Sequence, residues 1–267
     1  MPSLAWLTDI HLDFLEPPHV RGFLAEVRAL RADAVMLTGD ISDAPHLIDR
    51  LADIDAFLER PIYFVLGNHD FYYGSIRGVR QSVVDLCRER PNLQYLTTRS
   101  DPVELSPELG LIGHDGWADA RLGDYERSMV MMYDYRLIAE LTHITKAERW
   151  PVLRALGDEA AAAVREKLRI ALDRFPRVWL ATHVPPLREA CWHEGQISDD
   201  EWAPHFTCKA IGDVLLETMR RRTDRQLTVF CGHSHSLGIA QPLPNLTIHT
   251  GGASYGYPAI QRLLEVG

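Results

Sequence analysis

Ile62-Tyr63-Phe64-Val65-Leu66-Gly67-Asn68-His69-Asp70 is an apolar run of strand length that stops at a turn of chemically active residues. The same design occurs twice upstream. Leu4 to Leu7 runs into Thr8-Asp9-Ile10-His11, and Ala34 to Leu37 runs into Thr38-Gly39-Asp40. Two stretches with helical spacing lie between these runs: Val20, Phe23, Leu24, Val27 and Leu30, then Leu47, Leu51, Ile54 and Leu58. Strands alternating with helices predict βαβ units on a largely parallel sheet, hence an α/β fold. In such sheets the carboxyl ends of the strands open towards the ligand site. Asp, His and Asn residues far apart in sequence are thereby delivered to one rim.

The second half repeats the pattern. Val178 to Ala181 leads into Thr182-His183-Val184-Pro185-Pro186, and Leu227 to Phe230 into Cys231-Gly232-His233-Ser234-His235. Short apolar runs around Leu237 to Ala240, Leu246 to Ile248 and Ile260 to Leu264 predict antiparallel strands in the tail. Between Gly113 and Arg177 no strand-end motif occurs. Leu153, Leu156, Ala160, Val164, Leu168, Leu172 and Phe175 fall on one helical face. The stretch from Tyr125 to Ile144 also reads as helical, its Met129, Met131 and Met132 as packing residues. Residues 114–176 are therefore expected to form a helical cap, inserted in a single domain that spans residues 1–267 and lying over or beside the site.

The chain has 267 residues, 46% hydrophobic and 24% charged, which suits one large globular domain with an insertion. Its formal charge is −9, and its basic residues are scattered, the densest run being Arg220 to Arg222. A nucleic-acid partner would call for a basic face, so this composition argues against one. An acidic protein acting on an anion needs a positive source other than Lys and Arg, which points to metal. The apolar runs are far shorter than a membrane span. The opening stretch, Met1 to Asp13, lacks the basic region of a signal peptide. Cys87, Cys191, Cys208 and Cys231 show no close-pair spacing and read as reduced thiols of a cytoplasmic protein.

Asp9, His11, Asp40, Asn68, His69, His183, His233 and His235 all stand at strand ends. Imidazole nitrogens and carboxylate oxygens suit Zn, Mn or Fe, and the lack of clustered cysteine disfavours a structural zinc or iron–sulfur site. Seven or eight ligands are too many for one metal and right for two four- to six-coordinate ions that share a carboxylate. In Asp-x-His and His-x-His, alternate side chains of an extended segment fall on the same side and can reach one cluster.

Taken in order, Asp9-x-His11, Gly39-Asp40, Gly67-Asn68-His69-Asp70, His183 and Gly232-His233-x-His235 closely resemble the five motifs of the calcineurin-like metallophosphoesterase superfamily. The resemblance covers residues 9 to 235 and implies a four-layer αββα sandwich, two mixed β-sheets flanked by helices. It also implies one metal held by Asp9, His11, Asp40 and His235, and another held by Asp40, Asn68, His183 and His233, with Asp40 bridging. The activity it implies is hydrolysis of a phosphate ester by a hydroxide bridging two divalent or trivalent ions (Mn, Fe or Zn), the pKa of that water being lowered to about 7. His69 takes the general-acid role in this resemblance. Asp43 matches the second aspartate of a GDxxD pattern and is expected to orient His69, with Asp70 as the second candidate.

Related protein phosphatases continue that pattern with an arginine that grips phosphate, whereas this chain reads Gly39-Asp40-Ile41-Ser42-Asp43-Ala44-Pro45. The departure counts against protein phosphatase activity. Substrate is then expected to be held by the metals and Asn68, with His114, Trp117 and Tyr72 as further contacts. Without the arginine the reading favours a phosphodiesterase acting on a small or nucleotide-like phosphate ester. The alternatives are a phosphomonoesterase, a nuclease for short oligonucleotides, and a non-catalytic protein-binding scaffold, which would be expected to lack ligands. Asp115 and Asp119 follow His114 and read equally as substrate side or ordinary turn. Cys191, Trp192, His193, Glu194 and Trp202 read as packing of the cap rather than a specificity loop. His46, His143, His205 and His249 read as structural. The sequence carries no signal for oligomeric state.

Overall fold

A computed structural model describes residues 2–267. In β1 (Ser3–Leu7) successive side chains point to opposite faces, and Leu4 to Leu7 are all buried. Leu4 and Trp6 turn into a core shared with Leu109, Leu111 and Phe230. Ala5 and Leu7 turn the other way, towards Val20, Phe23, Leu24 and Leu47. A strand buried on both faces needs a partner layer on each, and this requirement generates the architecture.

The elements that follow are α1 (Pro17–Ala29), β2 (Ala34–Thr38), α2 (Ala44–Leu58), β3 (Ile62–Val65), α3 (Ile76–Glu89) and β4 (Leu93–Tyr95). β1 to β4 pair in parallel in sequence order. The chain continues through β5 (Val103–Ser106), β6 (Leu109–Gly113), α4 (Asp134–Leu137), α5 (Lys146–Arg174) and β7 (Arg177–Ala181). A small antiparallel hairpin, β8 (Trp192–His193) with β9 (Gln196–Ile197), precedes α6 (Ala203–Phe206) and α7 (Lys209–Arg221). β10 (Gln226–Cys231), β11 (Gly238–Leu243), β12 (Leu246–Thr250) and β13 (Ile260–Glu265) complete the fold.

The first sheet has the order β13-β1-β2-β3-β4, the second β11-β12-β10-β7-β6-β5. Both are mixed, because β13, β11 and β5 pair antiparallel to their neighbours. α1 to α3 cover the outer face of the first sheet, and α5 with α7 cover that of the second. The result is the four-layer αββα sandwich. Among the described residues no helix is long and apolar enough to cross a membrane. All four cysteines are free.

The expected helical cap over 114–176 divides into two parts. α5 begins at a capping box in which Thr145 and Glu148 satisfy each other's backbone N–H groups. Its stripe Leu153, Ala160, Val164, Leu168 and Leu172 is buried, and from Ala160 onward it packs on the second sheet as part of that sheet's outer layer. Near the ligand turns stand instead residues 129–133, part of the stretch 114–145, which is irregular except for α4. Tertiary partners take backbone groups that a helix would have needed there. Met129 N donates to Glu201 Oε1, and Lys146 Nζ donates to the carbonyls of Glu126 and Ser128.

Candidate metal centre

The turns after β1, β2, β3, β7 and β10 meet at one end of the sandwich. Backbone bonds knit them together: Asp9 N donates to Gly39 O at 3.0 Å, His11 N to Asp40 O at 3.0 Å, and Gly232 N to His183 O at 2.9 Å. Asp70 is the main brace. Its buried carboxylate accepts from Asp40 N, Ile41 N, Ser42 N and Gly67 N at 2.7–3.0 Å, so it holds two turns to each other. Five ligand candidates, Asp9, His11, Asp40, His233 and His235, have left-handed backbones with φ between 40° and 69°. Such conformations cost on the order of 1–3 kcal/mol each in non-glycine residues and concentrate at functional sites. The close approach needs glycine beside the ligands, because a Cβ at Gly67 or Gly232 would meet the carboxylates of Asp40 or Asp9.

Asp9, His11, Asp40 and His235 each turn one ligand atom into a space where all four lie within 4.8 Å of one another. His11 Nε2 is 3.3 Å from His235 Nε2, which is 3.4 Å from Asp9 Oδ1. On the far side of Asp40 a second group assembles. His183 Nε2 lies 3.4 Å from Asp40 Oδ1 and 3.0 Å from Asn68 Oδ1, and His233 Nδ1 lies 2.8 Å from the same amide oxygen. Asp40 stands between the groups, one oxygen towards each.

The hydrogen bonds around the second group define its chemistry. His183 Nδ1 donates to Thr38 O at 2.8 Å and His233 Nε2 donates to His205 O at 3.0 Å. These bonds fix which nitrogen of each ring faces inward, Nε2 of His183 and Nδ1 of His233, and the neutral His233 ring presents a bare nitrogen there. Asn68 cannot answer with its amide N–H groups, because Nδ2 donates to Asp134 Oδ1 at 2.9 Å and to Tyr72 Oη at 3.3 Å. At His233 Nδ1 a lone pair thus faces a lone pair of Asn68 Oδ1. Burial, together with the neighbouring His183, drives the His233 pKa down to about 4, so a proton does not relieve the contact at neutral pH. His183 behaves oppositely: burial opposes its charge, yet Asp40 and Asp9 push it up to about 10. Burial also opposes charge on Asp9 and Asp40. The surrounding imidazoles nevertheless hold both carboxyls below the usual range, Asp9 at about 2. Burial takes His11 down to about 3. An acceptor-rich pocket of this kind fits cations.

Several expected partners lie elsewhere. The Asp43 carboxylate bonds His46 rather than His69, because α2 starts at Ala44 and places His46 one turn away. His69 N donates to Asp40 Oδ1, while Tyr255 Oη lies 3.3 Å from His69 Nε2. The structure does not bring His114 or Trp117 to the cluster. His114 Nδ1 accepts from Gly116 N, and Trp117 packs in the core against Phe71. Tyr72 does stand there, tilted against His69 at 4.2 Å between ring centroids. Asp134 and Tyr255 escaped the sequence reading because Asp134 lies in α4 and Tyr255 in the connection from β12 to β13, outside the five ligand turns.

A cavity of about 610 Å³ opens on the cluster, with Asp40, Asn68, His69, His233 and His235 on its lining. Met129, Met131 and Met132, read from sequence as packing, line it together with Val130 and Tyr133, as do His193 and Trp202. A two-sheet sandwich whose parallel strands present Asp, Asn and His at one rim is the framework of a dimetal phosphoesterase. The chain matches the calcineurin-like phosphoesterases over residues 2–237 and belongs to that family. A search of the curated proteins finds no match. Among solved structures, phosphopantetheinyl hydrolase from Mycobacterium tuberculosis is similar at 17% identity and a TM-score of 0.63, covering 94% of this chain and 89% of its own. A dimetal phosphatase from Danio rerio is similar at 14% identity and a TM-score of 0.57, covering 94% and 87%. At these identities the likeness is one of fold.

Proposed function

We propose that this chain hydrolyses phosphate esters at a pair of metal ions, one held by Asp9, His11, Asp40 and His235 and the other by Asp40, Asn68, His183 and His233. The observation that carries the proposal is the convergence of the ring nitrogens of His183 and His233 on the pinned amide oxygen of Asn68, with an Asp40 oxygen 3.4 Å from His183 Nε2. Mn, Fe or Zn ions bound there supply a water of lowered pKa and positive charge for the phosphate. His69 stands half-buried beside His11, 4.6 Å between ring centroids, and faces the cavity. Its part is to protonate the departing alkoxide. Tyr255, at His69 Nε2, orients the ring in the role first expected of Asp43.

The substrate favoured is a phosphodiester of a small or nucleotide-like compound. A monoester carries close to two negative charges at neutral pH and a diester one, and the cavity lining contains no lysine or arginine to meet the second. The test is turnover of bis(4-nitrophenyl) phosphate against 4-nitrophenyl phosphate, with Mn²⁺, Fe²⁺ or Zn²⁺ and metal content measured in parallel. The diester should be the better substrate. Preference for the monoester overturns the diesterase assignment, and no turnover of either by protein carrying two metals overturns hydrolysis itself.

A further inference from the structure

We infer that one of the two organic groups of the substrate is uncharged and apolar, and that it lies against a wall made by Met129, Met131, Met132, Tyr133, Trp202 and Phe206. The inference rests on the proposed placement of phosphorus at the Asp–His–Asn cluster, since the same cavity joins that cluster to this wall.

Residues 129–133 contribute five consecutive positions to the cavity. Met129 and Met131 are 86% and 57% exposed, and Tyr133 is 66% exposed. Large apolar side chains left to water in a contiguous group mark a surface that something else covers. Methionine is the side chain best able to mould itself to an irregular apolar group. Across the cavity Trp202 and Phe206 stack with centroids 5.2 Å apart, and His193 tilts over Trp202 at 4.8 Å.

The wall is tied to the metal ligands. Ser128 Oγ donates to Glu201 O at 2.9 Å and lies 2.9 Å from His205 Nε2, and Tyr135 Oη lies 2.6 Å from His205 Nδ1. The carbonyl of that same His205 accepts from the ligand candidate His233. At the other end, Asp134 accepts from Asn68. Wall and cluster are therefore held at a set distance, as a site that reads the group attached to phosphorus requires.

Charge decides what kind of group fits. Apart from the ligand cluster and its histidines, Glu201 is the only charged side chain on the lining, and it is engaged by Met129 N. A carboxylate or second phosphate would find no cationic partner there and would face Glu201. An uncharged aryl or alkyl group meets thioether and aromatic surface throughout.

Binding of phosphonates to the full-length, metal-loaded protein tests this by calorimetry without relying on turnover. Methylphosphonate reports on the metal cluster alone, and octyl-, 2-naphthylmethyl-, 7-carboxyheptyl- and trimethylammoniohexyl-phosphonate probe the wall. Each methylene buried contributes about fourfold in affinity, so burying two suffices for more than tenfold. The octyl or naphthylmethyl compound should bind at least tenfold tighter than methylphosphonate, and the stronger of the two tells aliphatic from aromatic. The carboxylated compound should gain no such advantage. Met131→Glu should cut the octyl-to-methyl ratio at least fivefold, with metal content measured alongside. Equal affinity across the series, or tightest binding by the carboxylated or trimethylammonium compound, overturns the inference while leaving the metal site standing. Failure of methylphosphonate itself to bind protein that carries two metals overturns the placement of phosphorus at the cluster and the inference with it.

Discussion

Replacing Asp134 by alanine should detach one metal and leave the other. Asp134 Oδ1 accepts from Asn68 Nδ2 at 2.9 Å and from Tyr72 Oη at 2.7 Å, and these bonds aim Asn68 Oδ1 at His183 and His233. In Asp134→Ala the amide is free to turn over. Its Nδ2 would then donate to the bare Nδ1 of His233, an arrangement that competes directly with a cation. A hydrogen bond to a buried charge is worth about 1.5–3 kcal/mol. At about 1.4 kcal/mol per tenfold, that is roughly a 10–100-fold loss of affinity, the range seen when an outer partner of a metal ligand is removed. Manganese titration followed by electron paramagnetic resonance resolves the two sites. The site of Asp40, Asn68, His183 and His233 should weaken by that factor, and the site of Asp9, His11, Asp40 and His235 by less than threefold. Asp134→Asn retains an acceptor oxygen and should recover much of the loss, though a neutral bond is about half as strong. Equal weakening of both sites in a variant with native circular dichroism, or no weakening of either, would refute the lock on Asn68.

His69→Ala should lower turnover of esters with poor leaving groups by about 10²–10⁴-fold and of nitrophenyl esters far less, because nitrophenolate needs little protonation. Equal losses in a steady-state comparison would remove His69 from the acid role. His235→Ala takes away one of four converging ligand atoms, so metal analysis after dialysis should show about one ion per chain instead of two. Asp115 is a buried hub that accepts from Leu66 N, Tyr95 Oη, Thr97 Oγ1 and Arg80 Nε. Asp115→Asn should destabilise the fold by about 3–5 kcal/mol in urea unfolding at pH 7. Burial opposes the charge on Asp115, but Arg80 and His114 hold its carboxyl below the usual range. Its contribution is therefore complete above the unfolded carboxyl's pKa of about 3.9 and is lost as pH falls through the lower folded value. The gap between wild type and Asp115→Asn should accordingly narrow below about pH 4, and a gap that widens there would contradict the pairing with Arg80.

The strands, their order along the chain and the ligand turns were legible because each is a local signal. Apolar runs such as Leu4 to Leu7 and Ala34 to Leu37 stop at polar turns whichever partner they later find. The stripe from Leu153 to Leu172 likewise announced a helix, since its period is a property of the segment alone. Its location was another matter. A helix with one apolar face packs on any apolar sheet, and composition does not say whether that sheet lies beneath the site or at the back of the fold. Methionines at 129, 131 and 132 read as core for the same reason, although they face the cavity.

The chain by itself determined which atoms are able to bind metal, because that is decided by side-chain chemistry and by five short turns. Only the tertiary structure decided which nitrogen of each imidazole faces inward, through Thr38 O and His205 O, and which way Asn68 points, through Asp134. It also decided that Tyr255, not Asp43, reaches His69. Those choices depend on hydrogen-bond partners 28 to 186 residues away, brought together by packing that no local pattern encodes.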